Sequence, residues 1–231
     1  MKLIIGDCIN YKPVDNLDLI YMDPPYGDKK EDKYYGVDDY MIYMMDRIKA
    51  LTQFHFNYNL IIHVDQKYSH YLKVDVDRLL GKKWFKNEIV WCYSGPSVSK
   101  KQLPRKHDSL LWWQVGQGVY NPEYVPYKSL ADSQGWGEMD RDKMLERGKM
   151  LEDWWTDISA LQRNESEKVG YATQKPAALL NRIVRMFSNR TVVDPFSGSG
   201  TTMRACHYLQ REFVGYDIAD VSQYYPFCTI E

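Results

Sequence analysis

Paired cysteines, clustered histidines and a membrane-length apolar run are all missing from this chain of 231 residues. The four cysteines, at 8, 92, 206 and 228, stand far apart and form no CxxC pair. That spacing argues against a zinc site and against a disulfide framework, and leaves four reduced core thiols. The five histidines, at 55, 63, 70, 107 and 207, lack ligand spacing too and read as core or surface residues. No stretch approaches the length of a membrane span, and the first residues show no basic region followed by an apolar stretch, so neither a membrane anchor nor a secretory signal is expected and the location is read as cytoplasmic. Nor does one sign of charge dominate: 30 Lys and Arg oppose 31 Asp and Glu, for a net charge of −1. Internal repeats and low-complexity tracts are absent. With 44% hydrophobic residues, the chain is expected to form one domain, residues 1–231, around a sizeable core.

Two short motifs stand out against that background. Leu17-Asp18-Leu19-Ile20-Tyr21-Met22 reads as a buried strand and runs into Asp23-Pro24-Pro25-Tyr26. Asp23 therefore falls at the carboxyl end of a strand, where open α/β sheets carry their chemistry. Each proline fixes its own φ and restricts the residue before it, and neither has an N–H. The tetrapeptide is then a stiff acceptor array: a carboxylate, backbone carbonyls, and a flat ring at Tyr26. A ligand suited to it donates from an amino group and offers a π face, as adenine and cytosine do. Taken alone, the same four residues also fit a double-proline turn with a packing tyrosine.

The second motif is Asp194-Pro195-Phe196-Ser197-Gly198-Ser199-Gly200-Thr201-Thr202, placed after the short strand Thr191-Val192-Val193 and before a helix expected over 201–210. Strand, glycine turn and helix start together make a nucleotide cradle, since glycine allows close backbone approach. A phosphate loop would carry Lys before the Ser or Thr, and no lysine is present. A dinucleotide fingerprint would carry a third small residue where Met203 stands. What remains is a cradle with little provision for phosphate. The next strand, 212–216, ends at Asp217, where an acid accepts hydrogen bonds from ribose hydroxyls, so an adenosine-containing cofactor without phosphates is inferred.

In that order the two motifs resemble the β-class DNA amino methyltransferases, which use S-adenosyl-L-methionine and carry the catalytic motif ahead of the cofactor motif. Gly6-Asp7-Cys8 after Leu3-Ile4-Ile5 is similar to the family's opening cofactor segment, and Tyr171-Ala172-Thr173-Gln174-Lys175-Pro176 to the segment that helps bind the methionine end. Residues 61–71 and 87–93 look like its middle strands, so the resemblance covers most of residues 3–220. It implies a Rossmann-like α/β fold with a mixed seven-stranded sheet, helices on both faces and a circularly permuted order. It also implies catalytic roles for Asp23, Pro24, Pro25 and Tyr26, and cofactor contacts from Asp7, Cys8, Thr173, Lys175, Asp194, Phe196, Ser197, Gly198, Ser199, Gly200, Thr201, Thr202 and Asp217. The implied activity is methylation of adenine N6 in double-stranded DNA, without a metal. Aspartate at the first motif position favours adenine over cytosine N4; an RNA methyltransferase, a protein amide methyltransferase and a catalytically silent DNA-binding relative are the other readings. A homodimer and a cognate restriction nuclease stay open as partners.

One departure is the interval before the lysine-proline segment. Residues 94–160 make a shorter target-recognition insertion than the family commonly carries. Charge is concentrated just there: residues 82–106 hold Lys82, Lys83, Lys86, Lys100, Lys101, Arg105 and Lys106 against Glu88 alone, a local excess of +6. A solvated lysine surface would look the same, but beside a base-binding motif the patch reads as a phosphate contact, with Lys100, Lys101, Arg105 and Lys106 on a loop suited to a groove. Elsewhere, 27–35 reads as a flap or an ordinary connection, 38–54 as a helix with Tyr40, Ile42, Met45, Ile48 and Leu51 toward the sheet, and 141–155 as a surface helix interrupted near Gly148.

Overall fold

The computed structural model describes residues 1–25, 36–94, 100–127, 146–162 and 165–231. Eleven strands and four helices are described: β1 (Lys2–Ile5), β2 (Leu17–Met22), α1 (Val37–Thr52), β3 (Tyr58–Val64), α2 (Gln66–Leu80), β4 (Phe85–Cys92), β5 (His107–Val115), β6 (Tyr124–Val125), β7 (Lys149–Met150), β8 (Trp154–Trp155), α3 (Ala177–Phe187), β9 (Thr191–Asp194), α4 (Thr201–Tyr208), β10 (Glu212–Asp217) and β11 (Thr229–Ile230). Nine strands form one sheet in the order β11-β1-β10-β9-β2-β3-β5-β4-β8. Seven of these make the expected sheet, and the two extra are two-residue strands, one at each edge, too short to leave a sequence pattern. The sheet is mixed because β5 runs antiparallel to both β3 and β4.

Burial on both faces explains the unbroken apolar runs. Every residue of β2 and of β3 is buried, as a strand covered on two sides requires. Successive side chains go to opposite faces: Leu19 and Tyr21 enter the core shared with Leu179, Ile183 and Phe187 of α3 and Met203 of α4, whereas Ile20 and Met22 enter the core shared with Met44 and Ile48 of α1 and Leu72 and Val76 of α2. Asp18 points into neither core as an apolar residue would. Its buried carboxylate takes the N–H groups of Asn189 and Arg190 and the Arg190 guanidinium, which ties the start of β2 to the start of β9.

Several expectations are corrected. Residues 61–71 are not one strand, because Asp65 accepts the Lys67 N–H at 2.8 Å and so starts α2 immediately after β3. Ile42 is 63% exposed on α1, as it lies off the face that buries Tyr40, Met44, Ile48 and Leu51. The helix after the glycine turn stops at Tyr208, with Gln210 in the left-handed conformation. Of the segment 141–155, residues 141–145 lie outside the described ones; the rest carries β7 and β8 rather than a long helix, and Gly148 at φ 79° turns the chain into β7. The insertion expected over 94–160 is narrower than its bounds, because 107–115 is an interior strand and 154–155 pairs with β4.

Candidate active site

β9 and β2 are neighbours in the sheet, and from them the chain winds outward in opposite directions, β9 to β10 and β2 to β3. Such a switch point opens a crevice at the carboxyl ends of the strands. Asp194 ends β9 at that edge, Asp23 follows β2, and Asp217 ends β10 opposite Ile5 of β1. Three carboxylates from distant parts of the chain thus meet at one rim of the sheet.

The glycine turn after Asp194 is held from below. Asp194 accepts the Phe196 N–H at 3.0 Å on its carboxylate and the Ser197 hydroxyl at 2.8 Å on its carbonyl. The Gly198 amide donates to Asp217 Oδ2 at 2.9 Å, and Ser197 donates its N–H to the Tyr216 carbonyl. Gly198 and Gly200 have φ of 45° and 74°, and a β-carbon at Gly200 would come within 2.9 Å of the Tyr224 carbonyl. Both positions therefore need glycine for conformation, and the second for space as well. Arg204 reaches back to the Ser199 carbonyl at 3.0 Å, and the Ser199 and Thr201 hydroxyls bond each other, so neither hydroxyl is spare for a phosphate. On the other side of the crevice a β-carbon at Gly6 would meet nothing within 4 Å, which leaves β1's end open next to Asp217. An acid aimed at a diol, an open glycine and a turn without phosphate donors fit an adenosine group.

Burial governs the charges. Asp194 is fully enclosed, and burial together with the neighbouring charges of Asp23 and Asp217 pushes its carboxyl up to about 7 despite bonds from Thr202 and Phe196. Asp23 is met by a cation: Lys175 Nζ lies 2.7 Å from each of its oxygens. Behind them runs a buried chain of polar groups, from Tyr21 Oη to His63 Nδ1 at 2.9 Å, His63 Nε2 to Asp108 at 3.0 Å, and Tyr93 Oη to Asp108 at 3.1 Å. Burial alone would raise Asp108, yet the bonds from His63 and Tyr93 and the charge of Lys175 hold it below the usual carboxylate range.

The family model described as DNA methylase matches residues 17–224. The chain belongs to the DNA methylase family. It is 28% identical over 245 residues to the type II methyltransferase M.BamHI of Bacillus amyloliquefaciens, a match covering 95% of this chain and 55% of that protein, so the chain spans about half of its relative's length. Its fold is similar to that of M1.HpyAVI in complex with SAM, with a TM-score of 0.61, 21% identity and coverage of 95% and 93% of the two chains. It is similar also to the PvuII DNA methyltransferase, which is cytosine-N4-specific, with a TM-score of 0.65, 14% identity and coverage of 94% and 81%. A third likeness is to a DNA modification methylase of Thermus thermophilus, TTHA0409, with a TM-score of 0.60, 21% identity and coverage of 100% and 98%.

Among the sequence-derived residues of this methylase, Asp23, Pro24, Asp194, the glycine turn and Asp217 come together at the crevice. Asp7 lies at its β1 side, where its carboxylate accepts the Ile9 N–H at 3.0 Å and pairs with Arg47 of α1. Cys8 is buried against Tyr216, and burial pushes its thiol up to about 12, so it supports the crevice floor rather than facing a ligand. Thr173 is exposed, and Lys175 meets Asp23 instead of standing free for a cofactor. Tyr26 and the flap 27–35 lie outside the described residues, as do 95–99 of the basic loop. Lys100 and Lys101 are exposed, while Arg105 is paired with Asp65 at 2.9 Å. Because β5 runs antiparallel to β3, with Ser109 opposite Val64, residues 100–106 enter it at the rim that carries Asp23. The Tyr21-His63-Asp108-Tyr93 chain was missed, as single polar residues inside apolar strands leave no pattern. No group of three or more metal-ligating residues occurs among the described residues, and no described helix is long and apolar enough to cross a membrane.

Proposed function

We propose that this chain transfers a methyl group from S-adenosyl-L-methionine to the exocyclic amino nitrogen of a base in double-stranded DNA, with adenine N6 as the target. The observation that carries the reading is the meeting of Asp23 with the glycine turn and Asp217 at one switch point, an acceptor for an amino group beside a holder for an adenosine. Asp217 and the Gly198 turn hold the nucleoside end of the cofactor, and Asp7 stands at its β1 side. When bound, the cofactor supplies an electrophilic methyl group on a sulfonium.

The target nitrogen is a poor nucleophile because its lone pair is delocalised into the ring. Asp23 and the Pro24 carbonyl accept its two N–H bonds, draw it toward tetrahedral geometry and free the lone pair. As the new N–C bond forms, positive charge develops on nitrogen, and the fixed carboxylate stabilises it before one N–H proton leaves. Pro24 and Pro25 add no competing donor. The base must be flipped out of the duplex, which costs about a few kcal/mol, and Tyr26 stacking on it returns about 1–3 kcal/mol. Lys100, Lys101 and Lys106 contact phosphates at the same rim.

The test is to incubate the protein with S-adenosyl-L-methionine and unmodified genomic DNA, digest to nucleosides and identify the methylated base by mass spectrometry. N6-methyladenine is expected. N4-methylcytosine would move the target to cytosine, and unmodified nucleosides would remove the activity.

A further inference from the structure

Lys175 is placed where the proposed chemistry needs an empty carboxylate. Its ammonium chelates both oxygens of Asp23 at 2.7 Å, and the pair is largely enclosed, with side-chain exposures of 12% and 18%. An amino group entering the crevice needs those same lone pairs. A cation held beside the nitrogen would moreover oppose the positive charge that develops there during transfer. The contact therefore belongs to the unliganded protein and must open.

The backbone beneath Lys175 is not built to move. Gln174 donates to the Glu167 carbonyl at 2.8 Å and accepts the Val169 N–H at 2.9 Å, the Glu167 carboxylate takes the Ala177 N–H at 3.0 Å, and Pro176 starts α3. Opening is then a swing of the side chain alone, and a buried ammonium that swings needs a second anion. The cofactor carries one. With its nucleoside at Asp217 and its methyl group directed at a nitrogen on Asp23, its amino-acid tail, which ends in a carboxylate, lies toward the β2 side of the crevice. Other nearby cations are engaged elsewhere: Arg47 with Asp7, and Arg204 with the Ser199 carbonyl.

We propose that Lys175 is a shared counter-ion: it covers Asp23 in the cofactor-free protein and is handed to the cofactor's carboxylate on binding, so that the catalytic acceptor is uncovered only in a loaded enzyme. This exchange rests on the methyltransferase reading. Lys175 is on this account a positioning residue that acts through Asp23. Because Asp23 and the cofactor compete for one ammonium, the coupling between them is reciprocal: whatever removes Asp23's hold on the lysine strengthens cofactor binding.

Calorimetry without DNA tests this. Affinities for S-adenosylhomocysteine, which has the carboxylate, and for 5′-methylthioadenosine, which lacks it, are measured on the wild type, Asp23→Asn, Lys175→Met and the double variant. Asp23→Asn is expected to bind S-adenosylhomocysteine about tenfold tighter than wild type and 5′-methylthioadenosine equally. In the Lys175→Met background, Asp23→Asn should change neither affinity. Unchanged or weaker S-adenosylhomocysteine binding in Asp23→Asn, or a gain that persists without the lysine, overturns the shared counter-ion. Wild-type protein that binds neither compound overturns the methyltransferase reading itself, and the proposal with it.

Discussion

The Gly198 amide donates a hydrogen bond to the Asp217 carboxylate at 2.9 Å, joining the turn after β9 to the end of β10. One acid therefore shapes the glycine turn and, in the proposed methyltransferase, holds the ribose. Asp217→Ala should weaken S-adenosylhomocysteine binding by about 10- to 100-fold, the equivalent of about 1.5–3 kcal/mol for a hydrogen bond to a charged group. Calorimetry on the variant, with circular dichroism to establish folding, checks it; wild-type affinity would mean the turn has another purpose.

Asp23→Asn removes the charge and keeps the shape. Transfer should fall by at least about 10²–10³-fold, the scale of losing one preorganised electrostatic group, without any loss of cofactor affinity. Radiolabelled methyl transfer to unmodified DNA measures the first and calorimetry the second. Turnover near wild type would sink the mechanism.

For the basic loop the expectation changes with the structure, because Arg105 is already paired with Asp65. Replacing Lys100, Lys101 and Lys106 with Gln should flatten the slope of log affinity against log salt by up to about 2.7 units, at about 0.9 per phosphate contact. Arg105→Gln alone should flatten it by less than one such contact. Fluorescence anisotropy of a labelled duplex across a salt series reads both, and an unmoved slope in the triple variant would send the DNA path elsewhere.

Asp194 makes a prediction about pH. Its carboxyl is raised from 3.8 to about 7 in the folded protein, so between those values the folded chain holds a proton that the unfolded chain has released. Its contribution to stability is complete below about pH 4 and is lost as pH rises through about 7. Asp194→Asn keeps the bond from Phe196 and cannot ionise. Its stability relative to wild type should rise from pH 4 to 7 and level off above, by an amount on the order of 4 kcal/mol at most. Thermal melting across that range tests it; a difference independent of pH would show that the carboxyl never changes state.

The two motifs were legible because each is local. Asp23-Pro24-Pro25 and Ser197-Gly198-Ser199-Gly200 carry their chemistry in adjacent residues, and the apolar runs before them could only be buried strands. Lys175 was legible as a functional residue but not as a partner of Asp23, because the two lie 152 residues apart and only the sheet order joins them. His63 and Asp108 were illegible for another reason: each sits inside a strand whose neighbours are apolar, so neither periodicity nor spacing marks it. Helix faces were read within one position, and Ile42 shows the limit. Its spacing fits the apolar stripe, but the groove between α1 and α2 leaves it uncovered, beside Tyr71 and Val74.

Asn59 is another such residue, buried completely in β3. Its amide nitrogen serves the carbonyls of Asp18, Val119 and Phe187 at 3.3, 2.7 and 3.0 Å, and its oxygen accepts the Trp112 indole N–H at 2.9 Å. Asn59→Leu should destabilise the fold by about 2–4 kcal/mol, since buried partners lose their bonds together. Urea denaturation with an unchanged slope and a lowered midpoint is the expected record.

The pairing of β2 with β9, Leu17 opposite Thr191, also sets when the enzyme can come into being. On the ribosome, the acidic motif after β2 emerges among the earliest residues, yet the strand that must lie beside it, and the glycine turn, are among the latest. A partly made chain therefore holds an exposed amine acceptor with no place for a methyl donor. Newly synthesised protein passes from inert to competent in a single late step, and truncation anywhere before residue 217 yields no partial activity.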